Sequence, residues 1–182
     1  MNLPNTLSLL RLFLVTPFLI AVIYDLYLLA LILFVLAGIS DFLDGFLARR
    51  LQQKSRLGAF LDPLGDKLLM TVAFIALAVQ GLVPAWLAVL VVAKDIYVAL
   101  GSGIAYLAGN VTSFPPDTWG KLSTLLQIVT CGLVLLIAFL DARMPGLDWL
   151  FYAAGLVTVI AGVNYVWQGL QQFPDDTGQA ES

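Results

Sequence analysis

The chain has 182 residues, of which 60% are hydrophobic and only 12% are charged, and its mean hydropathy is +0.94. Because a soluble domain is typically about a quarter charged, this composition excludes an ordinary soluble fold and predicts an integral membrane protein. The single cysteine, Cys131, excludes an internal disulfide, and without any histidine there is no Cys/His cluster for zinc. The formal charge of −3 says little about partners, and we expect no nucleic-acid partner.

Six apolar stretches are long enough to cross a membrane, since a span needs about 20 mostly apolar residues. They cover roughly residues 7–24, 26–50, 59–80, 83–107, 118–140 and 148–170, and turn or helix-stop residues such as Tyr24-Asp25 and Gln80-Gly81 separate them. The first stretch has no basic segment before it and no clear cleavage site, so we expect a retained helix. The sequence predicts an all-α integral membrane protein with six transmembrane helices in one domain, residues 1–173, and a flexible polar tail, residues 174–182.

The lysine and arginine residues predict the orientation, because they favour the cytoplasmic side of a membrane protein. With six spans, Arg143 falls on one side. Seven others fall on or near the opposite side: Arg11, Arg49, Arg50, Lys54, Arg56, Lys67 and Lys121. We therefore expect a multi-pass protein of the cell (inner) membrane with both termini in the cytoplasm.

Four aspartates interrupt the second and third apolar stretches. Asp41 and Asp44 share a helix face at a spacing of three, and Asp62 and Asp66 do so at a spacing of four. At a rise of 1.5 Å per residue, counted from the far end of each stretch, Asp41 and Asp66 lie ~22 and ~21 Å along, and Asp44 and Asp62 both lie ~27 Å along. In an antiparallel pair of helices, the four carboxylates are expected to converge just inside the cytoplasmic boundary.

Converging carboxylates in a membrane segment need compensation, because an ionisable group there costs ~2.5–3.5 kcal/mol and four anions repel one another. Two divalent cations would offset the charge, and carboxylate oxygens suit Mg²⁺ or Mn²⁺. A two-metal site stabilises phosphoryl displacement, and without histidine an aspartate is the simplest general base. The alternative is an interfacial salt-bridge network between these acids and the neighbouring cations Arg49, Arg50, Arg56 and Lys67.

The pattern Asp41-x2-Asp44-Gly45-x2-Ala48-Arg49-x8-Gly58-x3-Asp62-x3-Asp66 resembles the signature of the CDP-alcohol phosphotransferase family at every fixed position. The resemblance covers the six-helix layout as well, and it implies a homodimer. It also implies that the four aspartates bind two metals, and that Asp66 is the base that activates the acceptor hydroxyl. For the cytidine nucleotide, it implies a site formed by Gly45, Ala48, Arg49 and Gly58, in which the small residues leave room and the arginine contacts the diphosphate.

Two further segments resemble the phosphatidylglycerophosphate synthase and cardiolipin synthase group. They are Pro4-Asn5-Thr6-Leu7-Ser8-Leu9-Leu10-Arg11 and Trp119-Gly120-Lys121-x2-Thr124-x2-Gln127. Thr124 and Gln127 share a helix face, which is able either to hydrogen-bond a polyol or phosphate or to serve interhelical packing. In the related synthases an arginine followed by an acid usually stands where this chain has Lys94-Asp95. Lys94 is accordingly expected either to bind phosphate or to pair with a signature aspartate.

Three cations, Arg11, Lys94 and Lys121, favour a phosphorylated polyol as acceptor. The expected reaction transfers the phosphatidyl group of CDP-diacylglycerol to glycerol 3-phosphate, which yields phosphatidylglycerophosphate and CMP in phospholipid biosynthesis. The active site would face the cytoplasm, which supplies the soluble acceptor, while the lipid tails stay in the bilayer. Alternative acceptors are phosphatidylglycerol, which would make the protein a cardiolipin synthase, and inositol phosphate.

Functions of other classes fit the acids less well. A cation carrier predicts acids spread over several helices along a pathway, whereas these acids form one layer. An intramembrane aspartyl protease needs two isolated acids that share a proton. A nonenzymatic membrane scaffold has no need of the D-G-x2-A-R arrangement.

Overall fold

The computed structural model describes the backbone of residues 3–51, 56–107 and 118–171, and side chains within residues 12–40, 67–101 and 118–168. The regular secondary structure in those ranges is all helical, with turns between the helices. The helices are α1 (Leu3–Ile23), α2 (Tyr27–Leu51), α3 (Arg56–Val79), α4 (Ala85–Leu107), α5 (Thr118–Phe139) and α6 (Leu147–Gln171). The all-α prediction with six helices is confirmed. The first helix begins four residues and the third helix three residues earlier than expected. The polar tail, residues 174–182, lies outside the described residues.

Short turns with left-handed residues join the helices in pairs. The chain passes through positive φ at Asp25 (57°), Gly81 (72°) and Asp141 (48°), just after α1, α3 and α5. The amide that follows each of these residues donates to a carbonyl five residues earlier: Leu26 to Ala21 (2.8 Å), Leu82 to Leu77 (2.9 Å) and Ala142 to Ile137 (3.1 Å). This Schellman arrangement satisfies carbonyls that the helix end leaves open and stops each helix at a defined residue.

The six helices pack as a closed ring. α1 packs against both α2 and α3, α2 packs against α5, α5 against α6, α6 against α4, and α4 against α3. Helices joined by a short turn run antiparallel. Gln80, just past α3, contacts the end of α1, and α6 runs parallel to α4, so α1, α3 and α5 all end at the same end of the bundle. We call this the turn end of the bundle and the opposite one the signature end.

The ring encloses an apolar core to which all six helices contribute. Its largest fully buried apolar side chains include Phe18 of α1, Phe74 and Leu77 of α3, and Leu87 of α4. The rings of Phe18 and Phe34 lie 6.1 Å apart between centroids, which ties α1 to α2. Cys131 is completely buried among these groups, so the lone cysteine is a packing residue. In a membrane, the close van der Waals packing of such side chains holds neighbouring helices together.

Large apolar side chains also cover the outside of the bundle. Phe13 is 75% exposed, Val79 80% and Trp149 79%, and similar residues are found on every helix. By length and composition, two helices in the described ranges can cross a membrane, α5 over Thr118–Phe139 and α6 over Leu147–Gln168. Shorter apolar stretches run along three more helices, at Leu12–Ile23, Tyr27–Ser40 and Lys67–Val79. Lipid is the solvent that suits so continuous an apolar exterior.

Candidate active site

The signature falls on two helices and converges towards one end of the bundle. α2 carries Asp41, Asp44, Gly45, Ala48 and Arg49 in its C-terminal half, and α3 carries Gly58, Asp62 and Asp66 in its N-terminal half. Arg11 lies in the N-terminal half of α1, the helix that packs against both. The side chains of all these residues lie outside the described residues.

The observed helix bounds preserve the matched depths of the aspartates. From the start of α2 at Tyr27, Asp41 lies ~21 Å along, and from the end of α3 at Val79, Asp66 lies ~20 Å along. By the same measure Asp44 and Asp62 both lie ~26 Å from the turn end. Two pairs of carboxyl-bearing positions therefore occupy two matching levels on two helices that flank α1.

A hydrogen-bond network at the turn end joins the end of α1, the start of α2 and the end of α3, from which the depths of the aspartates were counted. The side-chain amide of Gln80, just past α3, donates to the carbonyls of Val22 (2.7 Å) and Ile23 (3.3 Å) at the end of α1. The same amide donates to the Asp25 carboxylate (3.1 Å), which also accepts the Tyr27 hydroxyl (2.6 Å). α1, α2 and α3 are thus joined at one level. The sequence indicates only turn residues at Asp25 and Gln80. The contacts of Gln80 join positions more than fifty residues apart, which a local sequence pattern does not reveal.

Lys94 is paired inside its own helix. Its ammonium lies 3.3 Å from the Asp95 carboxylate, and the two side chains are only 11% and 12% exposed. Phosphate binding by Lys94, or its pairing with a signature aspartate whose side chain lies outside the described residues, stays a prediction beside this contact. The aliphatic stem of Lys94 runs along Gly162 of α6, where an added Cβ would lie 3.9 Å from its Cγ. Lys94 also lines a cavity of about 370 Å³ between α4 and α6, whose other walls are mostly apolar.

In the polar segment at the start of α5, Lys121 faces outward and Gln127 is buried between helices. Lys121 is exposed near the signature end. Gln127 is 1% exposed, and its amide donates to the hydroxyls of Ser123 and of Thr158 on α6, each at 3.1 Å. The Thr124 hydroxyl donates to the Gly120 carbonyl of its own helix. Of the two roles left open for this face, interhelical packing is the one that the contacts of Gln127 support. The sequence did not single out Thr158, which sits in an apolar run without a motif.

The predicted acceptor-phosphate residues lie at different depths. Measured from the turn end, Lys94 is ~14 Å along α4, Arg11 ~18 Å along α1 and Lys121 ~27 Å along α5. Arg11 is therefore level with Asp41 and Asp66, Lys121 with Asp44 and Asp62, and Lys94 lies deeper in the bundle than all four aspartates. The convergence of the three cations on one phosphate stays a prediction.

Comparison with known proteins connects these residues to one family. The model of the family described as CDP-alcohol phosphatidyltransferase matches residues 1–163, a range that contains every predicted site residue. A probable phosphatidylglycerophosphate synthase of Mycobacterium tuberculosis (strain ATCC 25618 / H37Rv) is 37% identical over 177 residues, which cover 93% of this chain and 82% of that protein. A CDP-diacylglycerol–glycerol-3-phosphate 3-phosphatidyltransferase of Bacillus subtilis is 31% identical over 190 residues, or 93% and 97% of the two chains. A probable cardiolipin synthase (CMP-forming) of Drosophila melanogaster is 36% identical, over 91% of this chain and 57% of that protein.

Proposed function

Since the chain belongs to the CDP-alcohol phosphatidyltransferase family, we propose that it transfers the phosphatidyl group of CDP-diacylglycerol to glycerol 3-phosphate. The products are phosphatidylglycerophosphate and CMP. One observation carries the proposal: the complete eight-position signature lies on α2 and α3, with its aspartates at paired distances from the turn end. The relatives from Mycobacterium and Bacillus, whose names state this activity or its product, support the choice of reaction.

The donor set fits a pair of divalent cations. Asp41, Asp44, Asp62 and Asp66 offer oxygen ligands only, which Mg²⁺ and Mn²⁺ prefer, and four carboxylates balance two such ions. When bound, the two cations supply charge neutralisation at the diphosphate of the donor. Asp66 would then accept the proton of the acceptor hydroxyl. The oxygen of that hydroxyl bonds to the β-phosphorus, and the bond between the β-phosphorus and CMP breaks. On the next turns of α2, Gly45 and Ala48 leave room for the cytidine nucleotide.

The remaining donor contacts come from the same two helices. Arg49, one turn beyond Gly45, would hold the diphosphate with its planar guanidinium, which is able to make two parallel hydrogen bonds to phosphate oxygens. Gly58 would extend the nucleotide site on α3, one turn from Asp62. The lipid tails of CDP-diacylglycerol would lie against the apolar exterior of the bundle, which is the surface that lipid contacts in any case.

The acceptor site is proposed to include Arg11, Lys94 and Lys121. Arg11 and Lys121 lie at the two levels of the aspartates, so a phosphate between them would stand beside the reacting atoms. Lys94 would take part from a deeper level, and a phosphate at Lys94 would have to share the ammonium with Asp95. The 36% identity to a probable cardiolipin synthase supports a second candidate acceptor, phosphatidylglycerol, and inositol phosphate is a third.

The placement in the membrane is part of the proposal. All six helices would span a bacterial inner membrane, with both termini and the signature end on its cytoplasmic side. Residues 1–173 would form the catalytic domain and residues 174–182 a polar tail. The family resemblance supports a homodimer.

The test is an acceptor panel with purified protein. CDP-diacylglycerol and Mn²⁺ or Mg²⁺ are incubated with glycerol 3-phosphate, phosphatidylglycerol or inositol phosphate, and CMP release and the lipid product are measured. We expect turnover with glycerol 3-phosphate, none after chelation of the metal, and phosphatidylglycerophosphate as product. Turnover with phosphatidylglycerol alone would replace the acceptor and keep the family chemistry, whereas no CMP release with any acceptor would favour a carrier or scaffold.

A further inference from the structure

The turn-end network of Asp25, Tyr27 and Gln80 joins three helices whose opposite halves carry the predicted site. Gln80 follows α3, Tyr27 opens α2, and Asp25 lies between α1 and α2. The Asp25 carboxylate accepts one hydrogen bond from each of the other two side chains, at 3.1 and 2.6 Å. The start of the aspartate-bearing helix α2 and the end of the aspartate-bearing helix α3 are therefore tied to a single carboxylate.

Asp25 occupies a turn position that glycine would fill with less strain, and its hydrogen bonds distinguish it from the other aspartate in such a position. Its φ of 57° is a left-handed conformation that glycine adopts without strain and that the equivalent turn after α3 fills with Gly81. Asp141, after α5, has the same conformation at φ 48°, and the side chains of both aspartates are exposed. No cross-helix hydrogen bond to the Asp141 carboxylate occurs among the described residues. A residue in a strained conformation whose carboxylate links the start of α2 to the residue after α3 is a reason to look for a function.

We propose that Asp25 and Gln80 are positioning residues that set the axial register of α2 against α3 and so hold the two pairs of signature aspartates at matching levels. This inference rests on the proposed two-metal site. The bonds of Gln80 to the Val22 and Ile23 carbonyls fix α3 against the end of α1, and the bond to Asp25 carries that position to α2. A helix transmits an axial shift along its length, because its backbone hydrogen bonds fix the rise at about 1.5 Å per residue.

The size of the effect follows from the tolerance of metal sites and reacting groups. Productive geometry requires ligands within about 0.5 Å of their places, and a displacement of about 1 Å that originates far from the chemistry is enough to lower the rate ~100-fold. Loss of the network would let α2 and α3 slide along α1 by such distances without unfolding. The expected signature is a weaker metal site in a bundle that remains folded.

The experiment measures Mn²⁺ binding directly, so that it does not depend on turnover. Free Mn²⁺ is followed by electron paramagnetic resonance in a titration of purified protein in nanodiscs, and the metal-induced rise in thermal midpoint gives a second readout. Gln80→Met keeps the side-chain length and removes the amide, and Asp25→Gly relieves the left-handed strain and removes the carboxylate. For both variants we expect the apparent Kd for Mn²⁺ to rise about tenfold, the lower end of what supporting residues of a metal site contribute.

Two controls separate register from general stability. Asp141→Gly makes the same backbone change at the same end of the bundle, and it is expected to leave Mn²⁺ binding as in the wild type. Asp25→Asn keeps an acceptor oxygen and tolerates the left-handed conformation, so it is expected to restore most of the affinity that Asp25→Gly loses. If Gln80→Met fails to fold, the comparison of Asp25→Gly with Asp25→Asn still decides the matter.

The outcomes distinguish this inference from the function on which it rests. Wild-type Mn²⁺ affinity in both Gln80→Met and Asp25→Gly overturns the positioning role and leaves the proposed reaction untouched. An equal loss in Asp141→Gly overturns it as well, because a nonspecific weakening of the turn end would then explain the result. If the wild-type protein itself binds no Mn²⁺ and releases no CMP, the two-metal proposal fails and the positioning role fails with it.

Discussion

At the scale of single residues, the charge of Lys94 is balanced by its immediate neighbour. Adjacent helical residues do not face each other, yet the long lysine stem lets the ammonium approach the Asp95 carboxylate to 3.3 Å. Both side chains are largely covered, with 11% and 12% of their surface exposed. The two charges therefore depend on each other. Substitution of one residue leaves the other charge uncompensated, and this effect adds to the loss of any substrate contact.

Lys94→Met is expected to lower the free energy of unfolding by about 3 kcal/mol, because it leaves the covered Asp95 carboxylate without a cation. Lys94→Met/Asp95→Asn removes both charges and should recover most of that loss, which chemical unfolding in detergent would measure. If Lys94 also contacts the acceptor phosphate, the double variant keeps a raised KM for glycerol 3-phosphate despite its recovered stability. A double variant as unstable as the single one would show that the ion pair is not energetically coupled.

Asp66 carries the other residue-level prediction. Asp66→Asn keeps the size of the side chain and removes its ability to accept a proton, so CMP release should fall by at least about 100-fold, the lower range for loss of a general base. The variant should still insert into membranes and elute from a sizing column as the wild type does. Turnover close to that of the wild type would remove Asp66 from the chemistry.

At the scale of helices, close contact between α4 and α6 depends on small residues of α6. A Cβ placed on Gly155 would lie 2.5 Å from Cζ3 of Trp86 and 3.7 Å from Cδ1 of Leu87. The Trp86 ring is stacked on Tyr152, with centroids 5.7 Å apart and planes inclined by 13°, so a shift of the ring would disturb that stack. Small residues of this kind let helices approach closely in a membrane.

Gly155→Ala is expected to lower the free energy of unfolding by about 1–3 kcal/mol, since the added methyl overlaps the Trp86 ring and forces a shift of packed groups. Gly132→Ala in α5 is the matched control, because a Cβ there meets nothing within 4 Å. The control should be neutral or stabilising by up to about 1 kcal/mol, the helix-propensity difference between the residues. Equal effects of the two substitutions in chemical unfolding would mean that the Trp86 contact is unimportant.

The helices were predictable from the sequence because each apolar run has the length of a span and ends at a turn residue. The signature was predictable too, since spacings of three and four fix which positions share a helix face. Contacts between distant helices were not. Gln127 is matched with Thr158, and Gln80 with Val22 and Asp25, across thirty or more residues. A pattern along one helix does not reveal which side chain on another helix will complete a hydrogen bond.

At the scale of the whole molecule, the ring order places α1 between the two aspartate-bearing helices and leaves α4 and α6 on the far side, around the cavity lined by Lys94. The three Schellman turns lie at one end, and the signature halves of α2 and α3 approach the other. Lysine and arginine follow the same division, with Arg143 beside the turn end and most other cations towards the signature end. The distribution of cations and the position of the signature therefore agree on which end of the bundle faces the cytoplasm in the proposed orientation.

Single-cysteine labelling tests that orientation. In a Cys131→Ala background, which removes only a buried thiol, Arg143→Cys places a cysteine at the exposed turn end and Ser182→Cys places one in the tail. A membrane-impermeant maleimide applied to spheroplasts should label Arg143→Cys at once and Ser182→Cys only after permeabilisation, because positive charge retains the signature end in the cytoplasm. Labelling of Ser182→Cys in intact spheroplasts would put the tail outside, and the aspartates would then face the side that lacks both CDP-diacylglycerol head groups and glycerol 3-phosphate.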